Sequence, residues 1–478
     1  MAGLLVAGTT SDAGKSLLVT ALCRAWARQG IRVAPFKAQN MSNNSMVCAD
    51  GSEIGRAQYL QCEAARVEAT WRNNPVLVKP ATDREAFLVV RGQPGGRLSA
   101  GEYTNGRGHL AEAAFAAYEE LAAEVDLVVA EGAGSPAEVN LRAGDFVNMG
   151  LARRFAMPVA IVGDIDRGGL LAALYGTWGL LDAADRALLR AFVVNKFRGD
   201  LDVLAPGLTT VTERTGVPFA GVLPWLTDVW LDSEDAISVG RWRRLDEGAR
   251  ERLSVAVVGL PRTSNATDVD ALACEPGVDV RVTRDPAVCR GADLLVLPGT
   301  RATVADLIWL RDNGLADVVA QRAERGRPVL GICGGYQMLA ESIDDPVESE
   351  AGGVAGLGLL PGRVRFAAAK ILGRPSRSWR GEPVEGYEIH HGCIDDDGSF
   401  PGGTERAAVW GTMWHGTLEC DGFRRAWLAQ VAAAAGSTWR AEPGAPAYRD
   451  RREGMIERLA DAVTEHLDLD LLLGSTLG

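Results

Sequence analysis

Short apolar runs alternate with stretches of helical periodicity along most of this 478-residue chain. Residues 4–7 predict a strand, 16–29 a helix stopped by Gly30, and 31–36 the next strand. The apolar runs at 126–130, 158–162 and 192–194 repeat the pattern, each followed by a Gly- or Asp-rich turn. Strands spaced by helical periods imply βαβ units and a parallel sheet. Around 233–252 the texture changes: SEDAISVGRWRRLDEGARER is charged, lacks a long apolar run and reads as a linker. A second series opens at 253–260 and continues through 293–297 and 328–332. Beyond Gly436 the chain starts loop-like and then offers an amphipathic helix near 455–467, with Ile456, Leu459, Ala460, Val463 and Leu467 on one face. The expected class is α/β: two doubly wound parallel-sheet domains, 1–232 and 253–435, followed by a helical tail, 436–478.

Composition narrows the partners. Apolar residues at 47% and charged residues at 23% match an ordinary globular chain, which argues against disorder or a fibrous repeat. No apolar run approaches the roughly 18 residues that span a bilayer, so no membrane insertion is expected. Acidic residues outnumber basic ones, 62 to 50, and no Lys/Arg stripe offsets the net charge of −12. Such a surface repels a phosphate backbone and excludes nucleic acid as a partner. The N-terminus lacks a basic segment and runs straight into a motif, unlike a signal peptide. Eight cysteines without a CxxC pair suggest free thiols in a reducing compartment, and a cytoplasmic location is expected.

After the first strand comes Gly8-Thr9-Thr-Ser-Asp-Ala-Gly14-Lys15-Ser16, which opens a helix. A strand feeding a glycine turn at a helix N-terminus presents backbone N–H groups to phosphates. In that reading Lys15 reaches the β/γ-phosphates and Ser16 binds Mg²⁺. Partition-type ATPases carry a second lysine where this chain has Thr10, and Asn195-Lys196-Phe197-Arg198 lacks the aspartate of a guanine-reading tetrad. Both absences favour ATP-driven chemistry, with Asn195 facing the adenine base. Glu131 and Asp50 are the candidate further metal ligands, because a carboxylate at a strand end faces the crevice where α/β sheets bind ligands. Lys37, in PFKAQNMSNNS, is placed to offset charge on a transferred phosphoryl group.

In the second half, Gly331-Ile-Cys333-Gly334-Gly335-Tyr-Gln reads strand, sharp turn, helix. A thiol on such an elbow is exposed on a strained turn and activated by the helix start. Gly334 and Gly299, the latter in the strand-end turn Leu297-Pro-Gly-Thr, are the candidate oxyanion donors. Its base comes from few histidines, with His415 in GTMWHG and His390 in GYEIHHG the competitors.

GICGGYQML with a downstream GTMWHG resembles the class I glutamine amidotransferase domains of the cobyrinate type. The phosphate loop resembles that of dethiobiotin synthetase, which phosphorylates a carboxylate, and the fusion of the two resembles the corrinoid amidases. KAQNMSNNS, DGSEIGRAQ, EGAGSPAEVNL, VNMGLA, GDIDRGG, NKFRGD and GYEIHHG are similar to the cobyric acid synthase family in particular. That resemblance implies Cys333 as nucleophile and His415 as its base. It also implies amidation of the b, d, e and g carboxylates of adenosylcobyrinic acid a,c-diamide, with one glutamine and one ATP for each. The alternatives are a cobyrinic acid a,c-diamide synthase and, outside enzymes, a nucleotide-dependent switch. Many class I domains have a glutamate two residues after the histidine, where this chain has Thr417. The third member of the site is then open, with Glu419 the first guess. Asn40, Ser42, Asn43 and Asn44 are expected contacts for the arms of the corrinoid.

Overall fold

The computed structural model describes residues 2–81, 85–99, 108–227, 229–231 and 252–474. Except for Arg252, the linker expected at 233–252 lies outside the described residues. The chain divides into two units: Met1–Ser42 with Cys48–Glu234 and Glu453–Gly478, and Asn43–Val47 with Asp235–Arg452. The stretch set apart from sequence as a tail is therefore shared, its last part counting with the first unit.

The first unit is built on six strands: β1 (Ala2–Gly8), β2 (Val33–Phe36), β3 (Leu127–Glu131), β4 (Val159–Asp164), β5 (Leu189–Phe197) and β6 (Phe219–Pro224). Their order across the sheet is β6-β5-β4-β1-β3-β2, and every pairing is parallel. Leu4, Leu5, Val6 and Ala7 are fully buried, as a central parallel strand covered on both faces requires. Alternate residues serve opposite layers. Leu4 and Val6 pack with Leu18, Leu22 and Trp26 of α1 (Lys15–Arg28), whereas Leu5 and Ala7 join Leu110, Ala114 and Tyr118 of the helix Gly108–Glu124.

A smaller sheet in this unit was not foreseen: Gln39–Met41 pairs parallel with Val76–Pro80, which continues antiparallel through Glu85–Val90 and Gln93–Ser99. The expected C-terminal helix runs Tyr448–His466. Its Ile456, Leu459, Ala460, Val463 and Leu467 enter the same core cluster as α1.

The second unit repeats the plan with β7 (Leu253–Val258), β8 (Val278–Thr283), β9 (Leu294–Leu297), β10 (Val329–Ile332), β11 (Gly403–Arg406) and β12 (Val409–Thr412). Their order is β8-β7-β9-β10-β12-β11, parallel except for the edge pair β11–β12. A four-stranded sheet containing Arg363–Gly373 and Glu388–Ile394 is added to it. No helix among the described residues is long and apolar enough to cross a membrane.

Candidate functional site

In the second unit, β10 ends at Ile332 and α2 (Gly334–Leu339) begins after a single residue, leaving Cys333 as the turn. Cys333 adopts φ 49°, ψ −108°, a backbone conformation that a residue with a Cβ occupies only when its surroundings impose it. The neighbouring glycines supply the room. A Cβ on Gly335 would lie 2.0 Å from the Leu297 carbonyl oxygen, and one on Gly334 would lie 2.6 Å from Thr300 Cγ2. The elbow is thus pressed against the turn after β9 that carries Gly299, so both expected oxyanion residues come to the same place. The Cys333 N–H donates to Thr412 O at 2.7 Å, which ties the elbow to the end of β12. His415 follows three residues later.

His415 is buried, with the Cys333 sulfur near enough for its charge to act on the ring. Its Nδ1 lies 2.7 Å from Asp268 Oδ2, leaving Nε2 for the sulfur, and the Gly416 N–H donates to Asp268 Oδ1 at 2.9 Å. The Tyr387 ring stacks on the imidazole with centroids 5.3 Å apart. Burial alone would lower the His415 pKa, but the Asp268 charge, then Cys333, outweigh it and push it up from 6.5 to about 10. The group is therefore an imidazolium at neutral pH, held between a carboxylate and the sulfur.

The carboxylate hydrogen-bonded to His415 is Asp268, where Glu419 was the first guess. Glu419 is partly exposed, with a carboxylate oxygen 3.9 Å from Arg452. Asp268 escaped the sequence reading because it precedes His415 by 147 positions. It lies in the short helix Ala266–Val269, ten positions past the end of β7, where no strand-end pattern marks it. The competitor His390 is buried, and neither of its ring nitrogens has a hydrogen-bond partner.

In the first unit, β1 leads through Gly8 to the loop and then to α1. Gly14 has φ 94° and closes against Asn195, whose Nδ2 would stand 2.1 Å from a Cβ there. Only glycine fits. A Cβ on Gly8 would sit 3.0 Å from Lys15 Nζ. The Thr9 N–H donates to Val162 O and so belongs to the sheet; it is not a free phosphate donor. Lys15 is buried, its Nζ donating to Thr10 O at 2.8 Å, Ser11 O at 3.0 Å and Gly134 O at 3.3 Å. Asn195 Nδ2 donates to Ala13 O at 2.9 Å and its Oδ1 accepts from Lys196 N, so this amide buttresses the loop where base contact was expected.

Glu131, fully buried at the end of β3, gathers the rest. Its Oε1 accepts from Ser16 Oγ and from Lys37 Nζ, each at 2.8 Å, and its Oε2 accepts from Gln61 at 2.6 Å. Burial pushes this carboxyl toward its neutral form. Lys37's charge and the hydrogen bonds from Lys37, Gln61 and Ser16 prevail and hold it below the usual carboxylate range. A hydroxyl beside an ionised carboxylate is a hard oxygen set suited to Mg²⁺.

Asp50 does not join it. This exposed residue caps its own turn, Oδ1 accepting from Ser52 N at 2.9 Å and Ser52 Oγ at 2.5 Å. Gln61 and Asp164 were missed from sequence; Asp164, at the end of β4, holds Lys196 at 2.6 Å, and Lys196 Nζ also donates to Asp12 O in the loop.

The asparagines expected to meet the corrinoid are partly engaged within the protein. Asn40 Nδ2 donates to Gln58 Oε1 at 2.7 Å, and Asn44 Oδ1 accepts from Ala266 N at 3.2 Å.

Two family models match the chain: a CobQ/CobB/MinD/ParA nucleotide binding domain over residues 4–239 and a CobB/CobQ-like glutamine amidotransferase domain over 254–433. The chain is 62% identical to the cobyric acid synthase of Cutibacterium acnes, covering 99% of each chain. It is 54% identical to that of Mycobacterium sp. (strain KMS), covering 98% of this chain and 96% of that one. Against the cobyric acid synthase of Streptomyces avermitilis the identity is 52%, with 98% and 95% covered.

Proposed function

The chain belongs to the cobyric acid synthase family of glutamine-dependent ligases, and from that premise we propose that it amidates the b, d, e and g carboxylates of adenosylcobyrinic acid a,c-diamide. Each amidation consumes one glutamine and one ATP. The observation that carries this reading is the pairing, in one chain, of the Cys333–His415–Asp268 constellation with a phosphate loop whose Ser16 and Lys37 converge on Glu131.

In the glutamine half-reaction, the Cys333 sulfur attacks the side-chain amide carbon. His415 gives its Nε2 proton to the departing ammonia, while Asp268 fixes the ring through Nδ1. The glutamyl thioester that remains is hydrolysed by water, with His415 taking the water's proton. In the second half-reaction, a corrinoid carboxylate oxygen attacks the ATP γ-phosphorus and ADP leaves. The resulting acyl phosphate is an electrophile that a carboxylate is not; ammonia displaces phosphate and forms the amide. Lys15 and Lys37 offset charge on the transferring group. Ser16 and Glu131 are the residues that would hold Mg²⁺, which when bound neutralises phosphate charge. All eight cysteines are free thiols, which suits a cytoplasmic enzyme.

The test is stoichiometric. The purified protein incubated with glutamine, ATP and the a,c-diamide is expected to form four glutamates, four ADP and one tetra-amidated corrinoid per substrate molecule. ADP formation that ignores the corrinoid contradicts the reading.

A further inference from the structure

Residues 43–47 stand between stretches of chain that belong to the first unit, yet these five residues count with the second. They reach Tyr387, which stacks on His415, and the two residues that start the helix carrying Asp268. On one side, the Ser45 N–H donates to Asn265 Oδ1 at 2.8 Å, and Asn44 Oδ1 accepts from Ala266 N at 3.2 Å. Asn44 and Ser45 are buried. Asn265 has φ 49°, ψ 45°, a left-handed conformation that asparagine tolerates better than most residues, and its carbonyl accepts from the Asp268 N–H at 3.1 Å. The short helix Ala266–Val269 that presents Asp268 therefore starts on two residues, Asn265 held by Ser45 and Ala266 held by Asn44. On the other side, Val47 packs in a small apolar cluster with Tyr387 and Ile389. Tyr387 is the ring stacked on His415, and its backbone exchanges N–H and carbonyl bonds with His415 at 3.0 and 2.9 Å.

We propose that residues 43–47 brace the Cys333–His415–Asp268 site, with Asn44 positioning Asp268 and Val47 positioning Tyr387, so that the imidazole keeps its alignment with the sulfur. The proposal rests on the glutaminase reading above. Asn44 and Val47 act through Asp268 and Tyr387. Misplacement of a catalytic group by about 1 Å costs on the order of 100-fold in rate, and a segment fixing both neighbours of the base has that leverage.

Glutamine hydrolysis and ammonia-driven amidation by the full-length protein, each followed against pH, test it in Asn44→Ala and Val47→Ala. Asn44→Ala is expected to lower kcat for glutamine hydrolysis about 10- to 100-fold, with KM for glutamine within about threefold. The alkaline limb of its pH profile moves toward neutrality, because a misaligned Asp268 no longer holds the proton on His415. Val47→Ala is expected to shift both quantities in the same direction, by less. Amidation driven by free ammonium bypasses the thiol and stays within about twofold in Val47→Ala, whose side chain packs only in the apolar cluster with Tyr387 and Ile389. Wild-type kcat and an unmoved profile in Asn44→Ala overturn the proposal. So does loss of ammonia-driven amidation alongside glutamine hydrolysis in Val47→Ala, which marks a general folding role. A wild-type protein that hydrolyses no glutamine instead overturns the functional reading on which the proposal rests.

Discussion

His415 carries the sharpest consequence at the scale of single residues. Its pKa is pushed up to about 10 in the folded protein against an ordinary 6.5, so protonation favours the folded state. That stabilisation is fully present below about pH 6.5 and is lost as pH rises through about 10. Thermal unfolding of the second unit is therefore expected to shift to lower temperature between pH 7 and pH 10. Asp268→Asn should flatten that dependence, since it removes the charge that holds the proton. The same variant should lower glutamine hydrolysis by about 10³-fold or more, because the ring loses the partner that fixes its Nδ1–H. In the first unit, Lys15→Ala is expected to reduce both glutamine- and ammonia-driven amidation by about 100-fold or more while glutamine hydrolysis persists. Phosphate release and ammonia release, measured side by side, separate these outcomes. Cys333 and Lys15 were legible because their chemistry needs glycines at fixed neighbouring positions. Asp268 and Gln61 were not, because nothing local marks a residue whose role is set by a side chain far along the chain.

At the scale of elements, the elbow and the C-terminal helix make separate demands. Gly335→Ala would drive a methyl to 2.0 Å from the Leu297 carbonyl, a backbone atom that has little freedom to move. A loss of about 1–3 kcal/mol is expected, as for other overpacked sites, and glutamine hydrolysis should fall with it. Ile456, in contrast, is buried on the helix Tyr448–His466 in the core of the first unit. Ile456→Ala is expected to cost about 2–5 kcal/mol and to lower the melting transition of that unit, with glutamine hydrolysis at low temperature retained. The parallel strands and this helix were readable because burial on one or both faces writes a period into the sequence. Gln93–Ser99 was not: this strand is mostly exposed and carries no apolar alternation to read. The edge strand β11 was missed for a related reason, since Gly403–Arg406 is a four-residue strand without an apolar run.

On the scale of the whole molecule, the proposed reaction is divided between two parallel-sheet units, one assigned glutamine hydrolysis and one carboxylate activation. The net charge of −12 opposes a polycarboxylate substrate. Its recognition therefore rests on local cations and backbone N–H groups, which a count of charges does not disclose. The sequence period predicted both sheets, while the contributions of residues 43–47 to the second unit and Glu453–Gly478 to the first follow only from tertiary packing. The division of labour is tested most directly by Cys333→Ala, assayed for corrinoid amidation with ATP and either glutamine or high free ammonium. The expected result is no glutamine-driven product and ammonium-driven amidation near the wild-type rate. Glutamine hydrolysis that survives the loss of Cys333, or failure with both nitrogen sources in a folded variant, would contradict it.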